Sequence, residues 1–173
     1  MAERTSTSSP FLGPHIKQCA IVVRDLDEAV RRFVADLEIG PWTAYRLAPP
    51  LLKQMRYNGE EVEFSLRHAL AWQGELQFEL VQPLDGPSIF AEHLEAHGEG
   101  LHHVGRYVSD HPAAVAEALA AGFVELQSAR GFGAEGDGAF AYFKRPDVPL
   151  IVELISAPRV RIEPEFVYPP SGG

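Results

Sequence analysis

The order of elements along this chain runs once and then begins again, and that repetition constrains its fold more than any other feature. Residues 16–23 are apolar and β-branched, the pattern of a buried strand. Asp25 follows as an N-cap, with Glu28 three residues later in the capping-box position. Leu26, Ala29, Val30, Phe33 and Leu37 then recur at helical spacing, up to a stop at Gly40-Pro41. Strand patterns follow at 42–47, 62–72 and 76–81, the last two meeting around Gln73-Gly74, and a short helix at 88–97 closes at Gly98. The pattern then restarts. A strand at 101–108 runs into a second cap candidate, Asp110, a helix at 112–121 stops at Gly122, and strands are expected at 123–127, 138–144 and 150–156. The order is βαβββ twice, which makes this an α+β chain. Its expected parts are a flexible tail at 1–14, a first module at 15–84, a helical connection at 85–100, a second module at 101–157 and a Pro-rich tail or arm at 158–173. Four glycines between 131 and 138 read as a mobile loop.

Each half closes on a strand that carries a glutamate among apolar residues, Gln77-Phe78-Glu79-Leu80-Val81 and Ile151-Val152-Glu153-Leu154-Ile155. Burying such a carboxylate is costly unless it is paired or binds a metal. The first strand of each half carries its own polar residue seven positions before the helix cap, Gln18 before Asp25 and His103 before Asp110. If a pseudo-twofold axis relates the halves, Gln18, Glu79, His103 and Glu153 converge. Three oxygen donors and one imidazole suit a divalent ion such as magnesium, manganese, nickel, cobalt or zinc. The neighbouring His102 points to the opposite face of its strand and is expected to pack against a helix or an interface. Cys19 has the parity opposite to Gln18 and reads as a small core residue.

Charge and composition narrow the function classes. Fifteen Lys and Arg against 24 Asp and Glu give a net charge of -9, which repels a phosphate backbone and argues against a nucleic-acid partner. The single cysteine allows no internal disulfide and suits a reducing compartment. No apolar run approaches 18 residues, and the first residues lack a signal-peptide core. The expectation is a cytoplasmic protein with no membrane partner.

These positions resemble the vicinal oxygen chelate superfamily, whose paired βαβββ modules form a cupped mixed sheet, over roughly residues 15–157. The stretch from Val81-Gln82-Pro83-Leu84 through residues 88–94 to His97-Gly98-Glu99-Gly100-Leu101-His102-His103-Val104 is similar to methylmalonyl-CoA epimerases, where the run ends Gly-x-His-His. Residues 150–155 match their last strand. The resemblance implies metal ligands at Gln18, Glu79, His103 and Glu153. Gln18 stands where the epimerases usually carry histidine, and the set Gln, Glu, His, Glu is similar to that of zinc-type glyoxalase I. His15 lies three residues earlier with the opposite strand parity and is not counted as the ligand.

The implied chemistry is chelation of a small carbonyl compound, with Glu153 and Glu79 as the carboxylates that move a proton through an enolate. That describes a metal-dependent isomerase, epimerase or lyase, acting on a CoA thioester or another small carbonyl substrate and assembled as a homodimer. The second expectation is a metal-free binding protein of the same fold, of the bleomycin-resistance kind. A ring-cleaving dioxygenase is the least expected, because its iron takes two histidines and a carboxylate and only His103 is suitably placed.

Other residues are candidates for the substrate pocket. With Gln73-Gly74 at the centre of a two-residue turn, Trp72 faces Glu75 and His68 faces Glu79. His68 then enters the cup with Leu66, Leu70 and Trp72, or else stays at a solvent edge. Trp42 and Tyr45 either line the pocket or belong to the core. Arg46, Lys53, Arg56 and Arg106 are the basic residues expected to offset the negative charge near an anionic ligand.

Overall fold

The computed structural model describes residues 15–170, so the expected tail at 1–14 lies outside the described residues. β1 (Ile16–Val22) leads to α1 (Leu26–Leu37), where the Asp25 carboxylate accepts from the Glu28 N–H at 2.9 Å. The helix ends before Gly40-Pro41 is reached. Glu38 takes a left-handed φ of 56, and its N–H turns back to the Phe33 and Val34 carbonyls. β2 (Trp42–Leu47) follows, then β5 (Leu66–Gln73) and β6 (Leu76–Pro83), with two strands between them that the pattern did not suggest, β3 (Lys53–Tyr57) and β4 (Glu60–Glu61). α2 (Ile89–His97) starts at its cap Ser88. The second half then runs β7 (Gly100–Tyr107), α3 (His111–Ala120) capped by Asp110, β8 (Val124–Phe132), β9 (Gly138–Arg145) and β10 (Val148–Ser156).

All strands join one curled sheet in the order β11-β2-β5-β6-β1-β7-β10-β9-β8-β3-β4, where β11 is Phe166–Tyr168. The halves meet at the antiparallel pair β1–β7, and each first strand runs parallel to the last strand of its own half. The register carries a twofold relation. Gln18 pairs with Gly105 and Ala20 with His103 across the seam, while Ala20 pairs with Glu79 and Gly105 with Glu153. Exchanging 18 with 103, 20 with 105 and 79 with 153 maps this set of pairs onto itself. Small residues, Ala20 and Gly105, thus occupy the two equivalent positions between the polar ones.

Three apolar clusters hold the sheet. One packs α1 on the outer face of the first half through Leu26, Val30, Trp42 and Leu80. Its counterpart packs α3 on the second half through Ala118, Phe143 and Leu154. The third fills the inner side around Val22, Met55, Phe64, Phe90 and Phe140 and reaches under α2.

The structure sharpens three expectations. β3 leaves the first module and pairs with β8 of the second, so the halves are stitched together rather than merely juxtaposed. The loop in the glycine-rich segment is shorter than expected: Gly131 and Phe132 belong to β8, Gly138 opens β9, and 133–137 connect them. Of the two readings of the Pro-rich segment, the described residues follow the arm rather than the tail. It crosses the first half, adds β11 to β2, and donates from the Glu165 N–H to the Ala44 carbonyl at 2.8 Å.

Candidate metal centre

The centre forms where the pleat puts four polar side chains on the inner side of adjacent strands. Glu79 and His103 flank Ala20, and Gln18 and Glu153 flank Gly105. All four are buried. His103 Nε2 lies 3.3 Å from Glu79 Oε2 and 3.2 Å from Glu153 Oε2. The ligand atoms of Glu79, His103 and Glu153 fall within 4.8 Å of one another.

Gln18 completes the group through its orientation. Its Nε2 donates to Gln77 Oε1 at 3.1 Å, and that oxygen also accepts from the Tyr107 hydroxyl at 2.5 Å. An amide that donates outward in this way turns its oxygen inward. Gln18 Oε1 has no hydrogen-bond partner, and Glu79 Oε2 has only the long approach of His103 Nε2 at 3.3 Å. A buried amide oxygen without a donor, beside two carboxylates that share one imidazole, is the arrangement that a cation relieves.

Gly105 leaves the space for that oxygen. A Cβ there would sit 2.5 Å from Gln18 Oε1 and 2.9 Å from Ile155 Cδ1. Gly105→Ala is therefore expected to destabilise the fold by about 1–3 kcal/mol and to push Gln18 out of the group. Urea unfolding and the bound-ion content of the variant check this together.

Electrostatics reinforce the geometry. Burial raises the Glu79 carboxyl, but hydrogen bonds from His103 and His68 outweigh it and bring the pKa down to about 2. Glu153 is held above its ordinary value by burial and by the Glu79 charge. Burial opposes a charge on His103, yet its bonds to Glu153 and Glu79 lift it to about 9. A divalent ion would take the place of these protons.

The neighbouring imidazole fixes the tautomer. Burial and the charges of His103 and His93 push His102 down to about 3, so it is neutral, and its ring bonds to the Ile89 backbone. Its Nδ1 lies 2.9 Å from His103 Nδ1. The neutral ring accepts there, which leaves His103 Nε2 facing the carboxylates. His102 also stacks near Phe90 of α2, at 5.2 Å between centroids.

The other candidate residues divide. His68 reaches the group, its Nδ1 2.6 Å from Glu79 Oε1. Tyr45 lies beside it, 5.8 Å away between ring centroids. Trp72 is 52% exposed and borders a shallower recess with Tyr45 and Leu70. Trp42 does not line the cavity: it is fully buried on the helix side of β2, edge-on to Phe33. Parity explains the split, because Trp42 and Tyr45 are an odd number of residues apart on one strand. The cavity over the centre is lined by Gln18, His68, Glu79, Tyr107 and Glu153 together with Leu70 and Phe140. Neither Gln77 nor Tyr107 was singled out from sequence. The signal for Gln77 was its place two residues before Glu79, hence on the same face.

The family is shown by comparison. A model described as the Glyoxalase/Bleomycin resistance protein/Dioxygenase superfamily matches residues 17–143, and the chain belongs to that superfamily. Among solved structures it is similar in fold to a methylmalonyl-CoA epimerase from Mycobacterium tuberculosis, with 22% identity, 88% of this chain and 94% of that chain covered, and a TM-score of 0.59. A methylmalonyl-CoA epimerase in complex with methylmalonyl-CoA and NH4+ is 21% identical, with coverage of 85% and 96% and a TM-score of 0.59. A Streptomyces coelicolor methylmalonyl-CoA epimerase variant in complex with 2-nitronate-propionyl-CoA is 21% identical, with coverage of 83% and 96% and a TM-score of 0.58. A search of curated proteins found no match. Among the described residues no helix is long and apolar enough to cross a membrane.

Proposed function

We propose that this chain is a divalent-metal-dependent isomerase or epimerase that moves a proton on the carbon next to a carbonyl. The observation that carries this reading is the pair of buried carboxylates, one from each half, facing one imidazole and the inward amide oxygen of Gln18. Gln18, Glu79, His103 and Glu153 would hold the ion. When bound, the ion would supply Lewis acidity, drawing electron density from a carbonyl oxygen and acidifying the adjacent C–H.

The protein's own groups do the rest. Glu79 and Glu153 are related by the twofold of the register, so they approach a ligand between them from two sides. A carbon placed there can lose its proton to one carboxylate and regain it from the other, the geometry of an epimerisation rather than of a one-sided elimination. The aliphatic wall of Leu66, Leu70 and Val81 excludes water from that exchange. His68 holds Glu79 in orientation, and Tyr45 and Trp72 border the way in. The substrate class is a small carbonyl compound, with acyl thioesters of CoA drawn from the solved relatives, and the working unit is a homodimer, as the resemblance implies.

A metal-free binding protein is the second reading. It is favoured by one feature: His103 already bridges both carboxylates and can neutralise part of their charge alone. Elemental analysis of protein purified without chelator separates the two, with about one divalent ion per chain expected. The enzymatic reading further requires that candidate carbonyl ligands incorporate deuterium from deuterated water. Protein that holds no ion in any buffer and exchanges no ligand proton belongs to the second reading.

A further inference from the structure

We propose that Arg161 is a substrate-recognition residue, and that the ligand of this cavity carries a carboxylate at the end opposite its carbonyl. The proposal deepens the metal-dependent reading and rests on it for where the carbonyl lies. Residues 158–165 cross the mouth of the cup as a strap pinned at both ends. At one end the Ala134 N–H donates to the Val160 carbonyl at 2.9 Å, and Arg159 pairs with Asp137 at 2.8 Å and with Glu135 at 2.5 Å. Pro158 packs so closely there that a Cβ on Gly133, itself at φ +93, would come within 2.2 Å of its ring. At the other end Glu165 is held by the Ala44 carbonyl and by Arg67 at 2.7 Å.

Between these anchors Arg161 lies at the exposed rim with its guanidinium over the Tyr45 ring, 5.6 Å from the centroid. It borders the same cavity as Gln18, His68, Glu79, Tyr107 and Glu153. The arginines at the two anchors, Arg159 and Arg67, each have two carboxylate partners. Arg161 has no ion-pair partner among the described residues. A guanidinium propped on an aromatic face and left without a counter-ion is pre-organised for a planar anion, which it meets with two parallel hydrogen bonds. The basic residues expected from sequence do not line this cavity; the cation comes from the segment read as a tail. That segment lies beyond the residues 17–143 that match the superfamily model.

Three probes share one skeleton and differ at the end that Arg161 would meet: acetoacetate, its neutral methyl ester, and acetonylphosphonate. Calorimetric titration into the metal-loaded protein is expected to show acetoacetate binding at least about tenfold tighter than the ester. Arg161→Gln is expected to bring that ratio near one while leaving the dissociation constant of the ester and the ion content unchanged. Arg161→Lys should keep part of the preference. A preference that survives in Arg161→Gln overturns the proposal. So does a wild type without a preference, including one that binds neither ligand, and so does tighter binding of the phosphonate than of the acid. Repeating the titration after chelation keeps the two readings apart. A preference that depends on Arg161 in a protein without bound ion or proton exchange leaves this inference standing and removes the metal-dependent one.

Discussion

Glu153→Gln should fold normally and yet lose both its divalent ion and its proton exchange. The substitution keeps the volume of a buried side chain, so no cavity opens. It also removes a charge that the metal-free protein resists, since burial and the Glu79 charge hold Glu153 above its ordinary pKa. Above about pH 9, where His103 has lost its proton, the chelated variant should therefore melt no lower than the chelated wild type. The losses lie elsewhere. One of two anionic ligands is gone, and so is one of the two proton carriers, so exchange into a carbonyl ligand should fall by roughly 10²–10⁴-fold. Ion content by elemental analysis, melting temperature and exchange by NMR in deuterated water form one experiment. A variant that keeps its ion and exchanges at the wild-type rate removes Glu153 from the proposed chemistry.

The second large effect is a pH dependence that changes with the ion. Without metal, the pKa of His103 is raised from about 6.5 to about 9 by its bonds to Glu153 and Glu79 against the cost of burial. A raised folded-state value stabilises fully below the unfolded value, and that stability is lost as pH climbs through the folded one. The chelated protein should therefore weaken between about pH 6.5 and 9. Glu153 adds to this from lower pH, because its raised carboxyl also favours the protonated folded state. Glu79, depressed to about 2, acts in the opposite sense: its contribution is present above about 4.5 and disappears as pH falls toward 2. The alkaline loss should be on the order of 3 kcal/mol, or roughly 10 °C in melting temperature for a chain of this size. With the ion bound, His103 is already neutral and the carboxylate repulsion is offset, so the loss should vanish. Melting curves across that range, with chelator and with added zinc or manganese, test it. Parallel curves in the two conditions would mean that no ion occupies this group.

Much of the centre was legible because strand parity is robust. Glu79 and Glu153 stand out as charges in apolar runs, and the offsets from Asp25 and Asp110 equate Gln18 with His103. The β5–β6 register shows how parity protects an argument. Gly74, not Gln73, takes the first central position of the turn at φ +59, where a type II′ turn asks for glycine. Gln73 therefore pairs with Leu76, Leu70 faces Glu79, and the register differs by two residues from the one first expected. A two-residue shift keeps every side chain on its face, so His68 still meets Glu79, now on the diagonal; a one-residue shift would have expelled it.

Sequence alone does not decide Trp42 between pocket and core, because an aromatic residue after a helix gives no parity of its own until its strand's register is known. β3 was invisible for a different reason. Lys53-Gln54-Met55-Arg56-Tyr57 is polar and Gln54 takes a positive φ, so neither alternation nor propensity marks the segment, and only its partner β8 makes it a strand. The strap over the cup was hidden by its prolines, which announce irregular chain and say nothing about what that chain covers.

The two ends of the sheet have a consequence for how these molecules meet each other. Long, flat strand edges invite further strands, and a sheet as wide as this one has only two places where that can happen. Here one edge is β11, three residues long and added by the chain's own last segment. The other is β4, just Glu60–Glu61, two adjacent negative charges. Neither offers enough free backbone, or a neutral enough surface, to template another copy. Continuous sheets between molecules, and the fibrous aggregates they seed, are thereby discouraged, and a pair of these chains would have to join through side-chain surfaces.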